Sequence, residues 1–341
     1  MHQLQLTTTS GTSEILIGEH LSSRLIGLEQ EPVLIIDEQV NYHHHDIFEP
    51  FRSAVIPRGE SHKTLQTVEK LYRELITLEA DRTTLVVGVG GGLATDVAGF
   101  VASTFLRGTR LGFISTTLLG QVDASIGGKN GVNLDGYKNM VGCIRQPSFV
   151  WCDLSLLGTL DKREYVSGIA EVIKYGLIRD SSFLDYVEEH MEAMLGQEMG
   201  VLEHVVSTSA AIKTEVVQKD EKESDLRRIL NFGHTIGHAI ERSKGILHGE
   251  SVGMGMILAS RLSQMQGLLS SSELERVEQL VSAAGLPVSM ELDPDEIYQN
   301  IRKDKKKSGE EVHFILLRGL GNTLVRPVAF TELKSMIRDL C

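Results

Sequence analysis

Leu85-Val86-Val87-Gly88-Val89-Gly90-Gly91-Gly92 is the stretch that decides the fold. Its first part is a short apolar run without alternation, the pattern of a strand covered on both faces. The run ends in three glycines, and helical spacing follows through Asp96, Val97 and Phe100. Strand, glycine turn and helix in that order make the unit from which parallel sheets with helical crossovers are built. Glycines at such a turn let the backbone approach a diphosphate while the helix N-terminus faces its charge. The pattern is not G-x-G-x-x-G, because Ala94 and Thr95 follow where a third glycine would be sought. A tight turn that needs positive φ is therefore the competing reading.

Working outward, Val33-Leu34-Ile35-Ile36 is a second buried strand ending in Asp37. Residues 64–78 carry Leu65, Val68, Leu71, Leu75 and Leu78 at helical spacing, and residues 111–115 form a third strand. An acid at a strand end can accept hydrogen bonds from ribose hydroxyls, but in the usual dinucleotide fold it follows the glycine loop. Asp37 precedes it, so a nucleotide-binding domain here departs from the ordinary topology; a helix cap is the alternative role. Beyond about residue 154 the periodicity turns helical: 165–178, 183–195, 201–219, 226–242, 251–266 and 272–284, with an extended segment at 312–317. The expected architecture is an α/β N-terminal domain with a parallel-rich sheet over residues 1–155 and a mainly helical, all-α C-terminal domain over 156–341.

The chain has 341 residues, 41% hydrophobic and 23% charged, which excludes disorder and allows two domains. A formal net charge of -12 argues against nucleic acid, so any anion must be held by a local cation cluster. Three cysteines without a C-x-x-C spacing suit a reducing compartment and not a thiolate metal site. The polar N-terminus lacks a signal-peptide layout and no apolar run reaches a membrane span, so the expected location is cytoplasmic.

Three segments carry chemistry. Residues 116–133 and Lys138-Asn139 set lysines and amides among glycines, an anion pocket or a solvated glycine-rich loop. Glu171 and Lys174 share a face of a helix that is apolar on most sides, and a buried carboxylate needs a partner or a metal. His234 and His238 stand one turn apart, with His248 just beyond; two imidazoles at i, i+4 can ligate one metal. Spacing alone selects His234 and His238. Thr235 replaces the glutamate of H-E-x-x-H, which removes a metalloprotease. His43-His44-His45 reads as a polar surface loop, and residues 303–307 as a solvated loop or small-anion clamp.

These segments together resemble 3-dehydroquinate synthase. The resemblance rests on GGGLATDVAGF at 90–100, RG at 107–108, TTLLGQVDASIGGKNGVN at 116–133, KNMVG at 138–142, GIAEVIKYGLI at 168–178, LNFGHTIGHAIE at 230–241, LHGE at 247–250 and DKK at 304–306. It implies an NAD-binding N-terminal domain, a helical domain with a zinc or cobalt site, an active site between them, and a homodimer. It implies Glu171, His234 and His248 as metal ligands. Asp37, Glu60, Lys63, Gly90, Gly91, Gly92, Asp96, Thr116, Thr117 and Thr159 fall on NAD positions, with Asp123, Lys129 and Lys138 beside them. Asp123, Lys174, Lys213 and Asn231 fall around the carbocycle. Lys129, Asn139, Arg227, His238 and Lys305, or the adjacent Lys306, face the phosphate, and Arg107 is lent to the neighbouring subunit. The implied activity is that of a carbon–oxygen lyase of the shikimate pathway. It makes 3-dehydroquinate and phosphate from 3-deoxy-D-arabino-heptulosonate 7-phosphate with transient use of NAD. Thr95, Ser115, Gly120 and Asn130 depart from the commoner glycine, proline, alanine and threonine. A different sugar phosphate cyclase and a metal-dependent polyol dehydrogenase of the glycerol dehydrogenase type are the rival readings.

Overall fold

The computed structural model describes residues 1–305 and 311–340. The chain divides into two compact units, Met1–Asp161 with Leu202–Glu221, and Lys162–Val201 with Lys222–Cys341. The changeover therefore falls a few residues after the expected one. The segment Leu202–Glu221 returns to the first unit, a step that no local pattern signals.

The first unit opens with a hairpin, β1 (His2–Thr8) and β2 (Gly11–Gly18). There follow β3 (Val33–Asp37), α1 (Glu38–His43), α2 (His45–Phe48), β4 (Ser53–Ile56), α3 (Leu65–Thr77), β5 (Leu85–Gly90), α4 (Gly92–Thr104) and β6 (Arg110–Ser115). It continues through β7 (Lys129–Leu134), β8 (Tyr137–Ile144) and β9 (Phe149–Asp153). Seven strands form one sheet in the order β1-β2-β9-β6-β5-β3-β4, antiparallel only at β1–β2. Every residue of β5 is buried, which is why its sequence does not alternate. Thr64 caps α3 by accepting from the Thr67 amide at 3.2 Å, and Val68, Leu71 and Leu75 form its buried face.

The strand order explains the displaced acid. From β3 the chain steps to β4 on one side and then returns to β5 on the other, so the order of winding reverses between β3 and β5 while the strands stay parallel. In open α/β sheets the crevice beyond the carboxyl ends of the strands at such a switch point is where ligands bind. Asp37 ends β3 and Gly90 ends β5, so they are neighbours in space whichever comes first in the chain.

Of the segment 116–133 with Lys138-Asn139, read from sequence as an anion pocket or a glycine-rich loop, the part from Lys129 onward lies in the antiparallel pair β7–β8. Its turn is Asp135-Gly136, both at positive φ (50° and 76°), the residue pair favoured by tight hairpins. The His43-His44-His45 run likewise lies in α1, α2 and the junction between them, not in a loop.

The second unit contains α5 (Lys162–Arg179), α6 (Ser181–Glu189) and α7 (Met191–Leu195). Helix α8 (Met199–Lys219) begins there and runs into the first unit. Then come α9 (His234–Lys244), α10 (His248–Met265), α11 (Ser271–Ala283), α12 (Pro294–Lys305), a hairpin β10 (Glu311–Leu317) with β11 (Thr323–Ala329), and α13 (Phe330–Leu340). Ile236, Ile240, Leu258, Ile301, Phe314, Leu333 and their neighbours form its core. The helix expected over 226–242 is broken. A 3-10 turn covers Leu226–Asn231, and Gly233, at φ 79°, begins α9. A side chain on Gly233 would meet Met256 and the Val252 carbonyl. Residues 303–305 close α12, where a loop was expected; Lys306 and the Lys305 side chain lie outside the described residues. Among the described residues no helix is long and apolar enough to cross a membrane.

Candidate active-site residues

In the second unit, α5 is buried from Ser167 to Ile178, so Glu171 has no exposure to solvent. Its carboxylate pairs with the ammonium of Lys174, one turn on and itself 1% exposed. His234 is the first residue of α9 and His248 the first of α10. Their Nε2 atoms lie 3.5 and 3.4 Å from the same carboxylate oxygen, Glu171 Oε1. The ring of His234 is oriented by a 3.0 Å contact from Nδ1 to the Phe232 carbonyl, which puts the proton on Nδ1 and leaves Nε2 as the donor atom. Burial, helped by the charge of Lys174, holds its pKa well below that of free imidazole. For His248 burial also pushes downward, but the carboxylates of Glu171 and Glu241 outweigh it and raise the pKa to about 9.

Three donor atoms, one each from Glu171, His234 and His248, lie within 4.8 Å of one another. Metal–ligand bonds of about 2.1 Å place neighbouring donors of a tetrahedral site roughly 3.4 Å apart, so these side chains fit a single divalent ion. His238 stays close, its ring centroid 5.2 Å from that of His234 and 6.0 Å from that of His248. It joins Glu241 and His248 in a second, less buried group of potential ligands. The i, i+4 pair that spacing favoured therefore shares a face, but the buried carboxylate converges on His234 and His248. Arg227 is buried on the 3-10 turn, and Asn231, at the end of that turn, donates to Glu223.

In the first unit, Asp37 caps α1, accepting from the amides of Gln39 (2.8 Å) and Val40 (3.3 Å). Burial raises its pKa against those two bonds. The cap role and the position at the switch point coexist. Gly90 is at φ 152°, and a Cβ there would lie 2.6 Å from Ala94 Cβ and 3.0 Å from Asp37 Cβ. A Cβ on Gly91 would stand 2.8 Å from Thr117, and one on Gly92 2.9 Å from Ala124. These glycines let the β5–α4 turn lie against Asp37 and the segment after β6, leaving backbone at the crevice. The Thr116 hydroxyl there is buried without a hydrogen-bond partner, a polar group available to a ligand. The turn, the unused hydroxyl and the acid fit a dinucleotide.

Lys63 is buried and bridges Asp96 Oδ2 and Asn139 Oδ1, each at 2.6 Å. Asn139 is at φ 51°, and its amide donates to Asn133, which in turn donates to Glu60 at 2.8 Å. Asp123 lies in a π-helical turn (Gly120–Ala124) and receives Lys213 Nζ at 2.7 Å. Thr159 is bonded to His44 Nε2 at 2.7 Å. Lys129, Lys138 and Arg107 are exposed, and Arg107 sits at φ 69°. His44, read from sequence as surface, and Gln121 and Asn133, quoted only within the 116–133 motif, are not among the site residues that the sequence names. Gln121 is buried and ties the carbonyls of Ser115 and Asp153 together, a role that no motif announces.

Two of the departures from the family pattern touch each other. A Cβ on Gly120 would lie 2.4 Å from Ser115 Oγ. Alanine at 120 would therefore require the Ser115 hydroxyl to turn away. Thr95 bonds back to the Gly91 and Gly92 carbonyls at 3.3 and 3.1 Å, leaving its methyl group to packing.

Residues 53–167 match the family described as 3-dehydroquinate synthase N-terminal, and residues 168–307 match 3-dehydroquinate synthase C-terminal. The chain belongs to the 3-dehydroquinate synthase family. Curated relatives of that name include proteins from Thermoanaerobacter pseudethanolicus (43% identical, 83% of this chain and 81% of the relative) and Teredinibacter turnerae (43%, 85% and 82%). One from Desulforamulus reducens is 42% identical over 89% of this chain and 88% of its own. Among solved structures, a 2-epi-5-epi-valiolone synthase from Streptomyces hygroscopicus subsp. jinggangensis, with NAD+ and Zn2+ bound, superposes with a TM-score of 0.89 at 28% identity, covering 98% of each chain. A 2-deoxy-scyllo-inosose synthase complexed with carbaglucose-6-phosphate, NAD+ and Co2+ gives 0.87 at 28% identity over the whole of both chains. A probable glycerol dehydrogenase from Sinorhizobium meliloti shares the fold alone, at 0.68 and 16% identity, covering 96% of this chain and 95% of that one. The resemblance read from the motifs is thereby borne out.

Proposed function

We propose that this member of the 3-dehydroquinate synthase family converts 3-deoxy-D-arabino-heptulosonate 7-phosphate into 3-dehydroquinate and phosphate. The observation that carries the reading is the convergence of His234 and His248 on the buried pair Glu171 and Lys174. A dehydrated carboxylate beside two imidazoles is a site for one divalent cation per chain, zinc or cobalt. When bound, NAD takes up and returns a hydride, and the metal acidifies the alcohol and polarises the ketone.

The chain's own residues supply binding, orientation and charge. Glu171, His234 and His248 would hold the metal. Asp37, Glu60, Lys63, Gly90, Gly91, Gly92, Asp96, Thr116, Thr117, Lys138 and Thr159 serve the dinucleotide, with Asp123 and Lys129 beside them. The Lys63–Asp96–Asn139 bridge presets that region before any ligand arrives. Lys174, Lys213 and Asn231 orient the hydroxyls and carboxylate of the carbocycle; Lys213 already holds Asp123. Arg227, His238, Lys129, Asn139 and Lys305 receive the phosphate through charge-assisted hydrogen bonds, and a leaving phosphate can itself carry away the neighbouring proton. Arg107 serves the neighbouring subunit of a homodimer, and the enzyme works in the cytoplasm.

The test supplies the heptulosonate phosphate with catalytic NAD and follows phosphate release and absorbance at 340 nm before and after chelation. Release that stops on chelation, without NADH build-up, is the expected result. Release indifferent to chelator removes the metal role. Steady NADH accumulation turns the assignment to a polyol dehydrogenase.

A further inference from the structure

Arg163, Ser167 and Glu171 stand four residues apart on one face of α5, and each meets a successive residue at the start of α10 in reverse order. Arg163 forms a two-pronged bond to Glu250, Nε to Oε1 at 2.5 Å and Nη2 to Oε2 at 2.8 Å. Ser167 Oγ accepts from the Gly249 amide at 2.8 Å. Glu171 Oε1 faces His248 Nε2 at 3.4 Å. Contact at the middle rung is so close that a Cβ on Gly249 would lie 1.9 Å from the Ser167 carbonyl oxygen. Glu250 also accepts from the Leu247 amide at 3.0 Å, and the Ser251 hydroxyl donates to the His248 carbonyl at 2.7 Å, so the first turn of α10 is held from inside as well. On the far side of the His248 ring, Nδ1 is 3.7 Å from Glu241 Oε2, an ion-pair separation.

We propose that Ser167 and Glu241 are positioning residues of the metal centre, Ser167 fixing where the His248 ring stands and Glu241 fixing which way it turns. The proposal rests on the reading that Glu171, His234 and His248 hold the metal. A histidine ligand needs two constraints, a fixed backbone and a fixed ring rotation. His234 takes both from its own segment, through Gly233 and the Phe232 carbonyl. The restraint on His248 comes instead from α5 and from α9. A carboxylate on the second nitrogen also selects the Nδ1–H tautomer, leaving Nε2 to the ion, and such outer partners typically carry about 10- to 100-fold in metal affinity.

The test is Co2+ affinity by competition with a chelator, the visible absorption band of the Co2+ protein, and the unfolding midpoint of the metal-free chain, for Ser167→Ala, Glu241→Gln, His248→Asn and Glu171→Gln. The expected result is a loss of Co2+ affinity of roughly tenfold in Ser167→Ala and in Glu241→Gln, with an altered band and a metal-free midpoint like that of the parent. Unchanged affinity and band in both variants overturn the proposal. So does an affinity loss matched by a falling metal-free midpoint, which marks general destabilisation. Loss in Glu241→Gln as complete as in His248→Asn makes Glu241 a ligand and overturns its positioning role. Retention of full affinity in Glu171→Gln and His248→Asn defeats the underlying ligand reading, and the proposal with it.

Discussion

The two units prepare their functional groups in opposite ways. In the first, charges are paired with one another before any ligand is present: Lys63 with Asp96 and Asn139, Lys213 with Asp123. Lys129 and Lys138, on the β7–β8 hairpin, are exposed. In the second, three helices bring a fully buried carboxylate to two imidazoles, with the buried Lys174 beside it. A network of paired groups can lose one member and relax through its neighbours. A carboxylate with no exposure at all, such as Glu171, has least room to relax, because removing a partner leaves the desolvation cost in place. Sensitivity to substitution should therefore differ sharply between the units.

The largest effect is expected at the ligands. His248→Asn and Glu171→Gln should lose most bound metal and reduce turnover by about a thousandfold or more, a barrier change of roughly 4 kcal/mol. His238→Asn should keep its metal. Metal content after gel filtration checks this, and a metal-free His238→Asn would move the site to the His238, Glu241 and His248 group. Next comes Gly249→Ala, whose Cβ would collide with the Ser167 backbone. We expect destabilisation of about 3 kcal/mol, read from denaturant midpoints, at the upper end of ordinary overpacking costs. A neutral outcome would show that the start of α10 can shift without penalty.

Arg227→Ala should raise the KM for the sugar phosphate about tenfold or more while NAD affinity, measured by fluorescence titration, stays nearly unchanged. Equal loss of NAD affinity would remove Arg227 from the phosphate set. A smaller effect is expected at Glu221 in the first unit, which binds the tip of the β1–β2 hairpin through Thr9 and Ser10. Burial pushes its pKa up, but hydrogen bonds from Ser10, Thr8, Thr9 and Gln146 outweigh this and bring it down to about 2. With the folded pKa depressed below an ordinary 4.5, its stabilisation is fully present above pH 4.5 and fades as the pH falls from there toward 2. Glu221→Gln should cost about 1 kcal/mol at pH 7, allowing for solvent screening, and much less near pH 2; unfolding curves at several pH values decide it. The smallest effect is a coupling. Gly120→Ala alone should destabilise by about 1–2 kcal/mol, and adding Ser115→Ala should recover much of that. Simple additivity would mean that the Ser115–Gly120 contact is not what set the pair of departures.

Much of this molecule was legible before folding. The apolar runs at 33–36 and 85–89 read as strands covered on both faces, and both are, as β3 and β5. A helix apolar nearly all round had to bury Glu171, and it does. The N-terminal hairpin was missed although Leu4 and Leu6 alternate with polar residues, because so short an alternation carries little weight. The β7–β8 turn had its own signal in Asp135-Gly136, which the surrounding glycines obscured.

By itself, the sequence determined the alternation of strands and helices, the glycine turn with its acid, the buried Glu171–Lys174 pair and the supply of histidines, since each follows from local periodicity or from the cost of burying charge. Tertiary structure decided which atoms converge. Helical spacing puts His234 and His238 on one face, but a ligand set depends on where ring nitrogens lie to within an ångström. That is settled by contacts distant in sequence: the Phe232 carbonyl behind His234, Ser167 beneath Gly249, and Glu171 Oε1 between two helix starts. Asp37 and Gly90 likewise meet only because β3 and β5 are neighbours in the sheet, a fact of strand order that one-dimensional patterns do not contain.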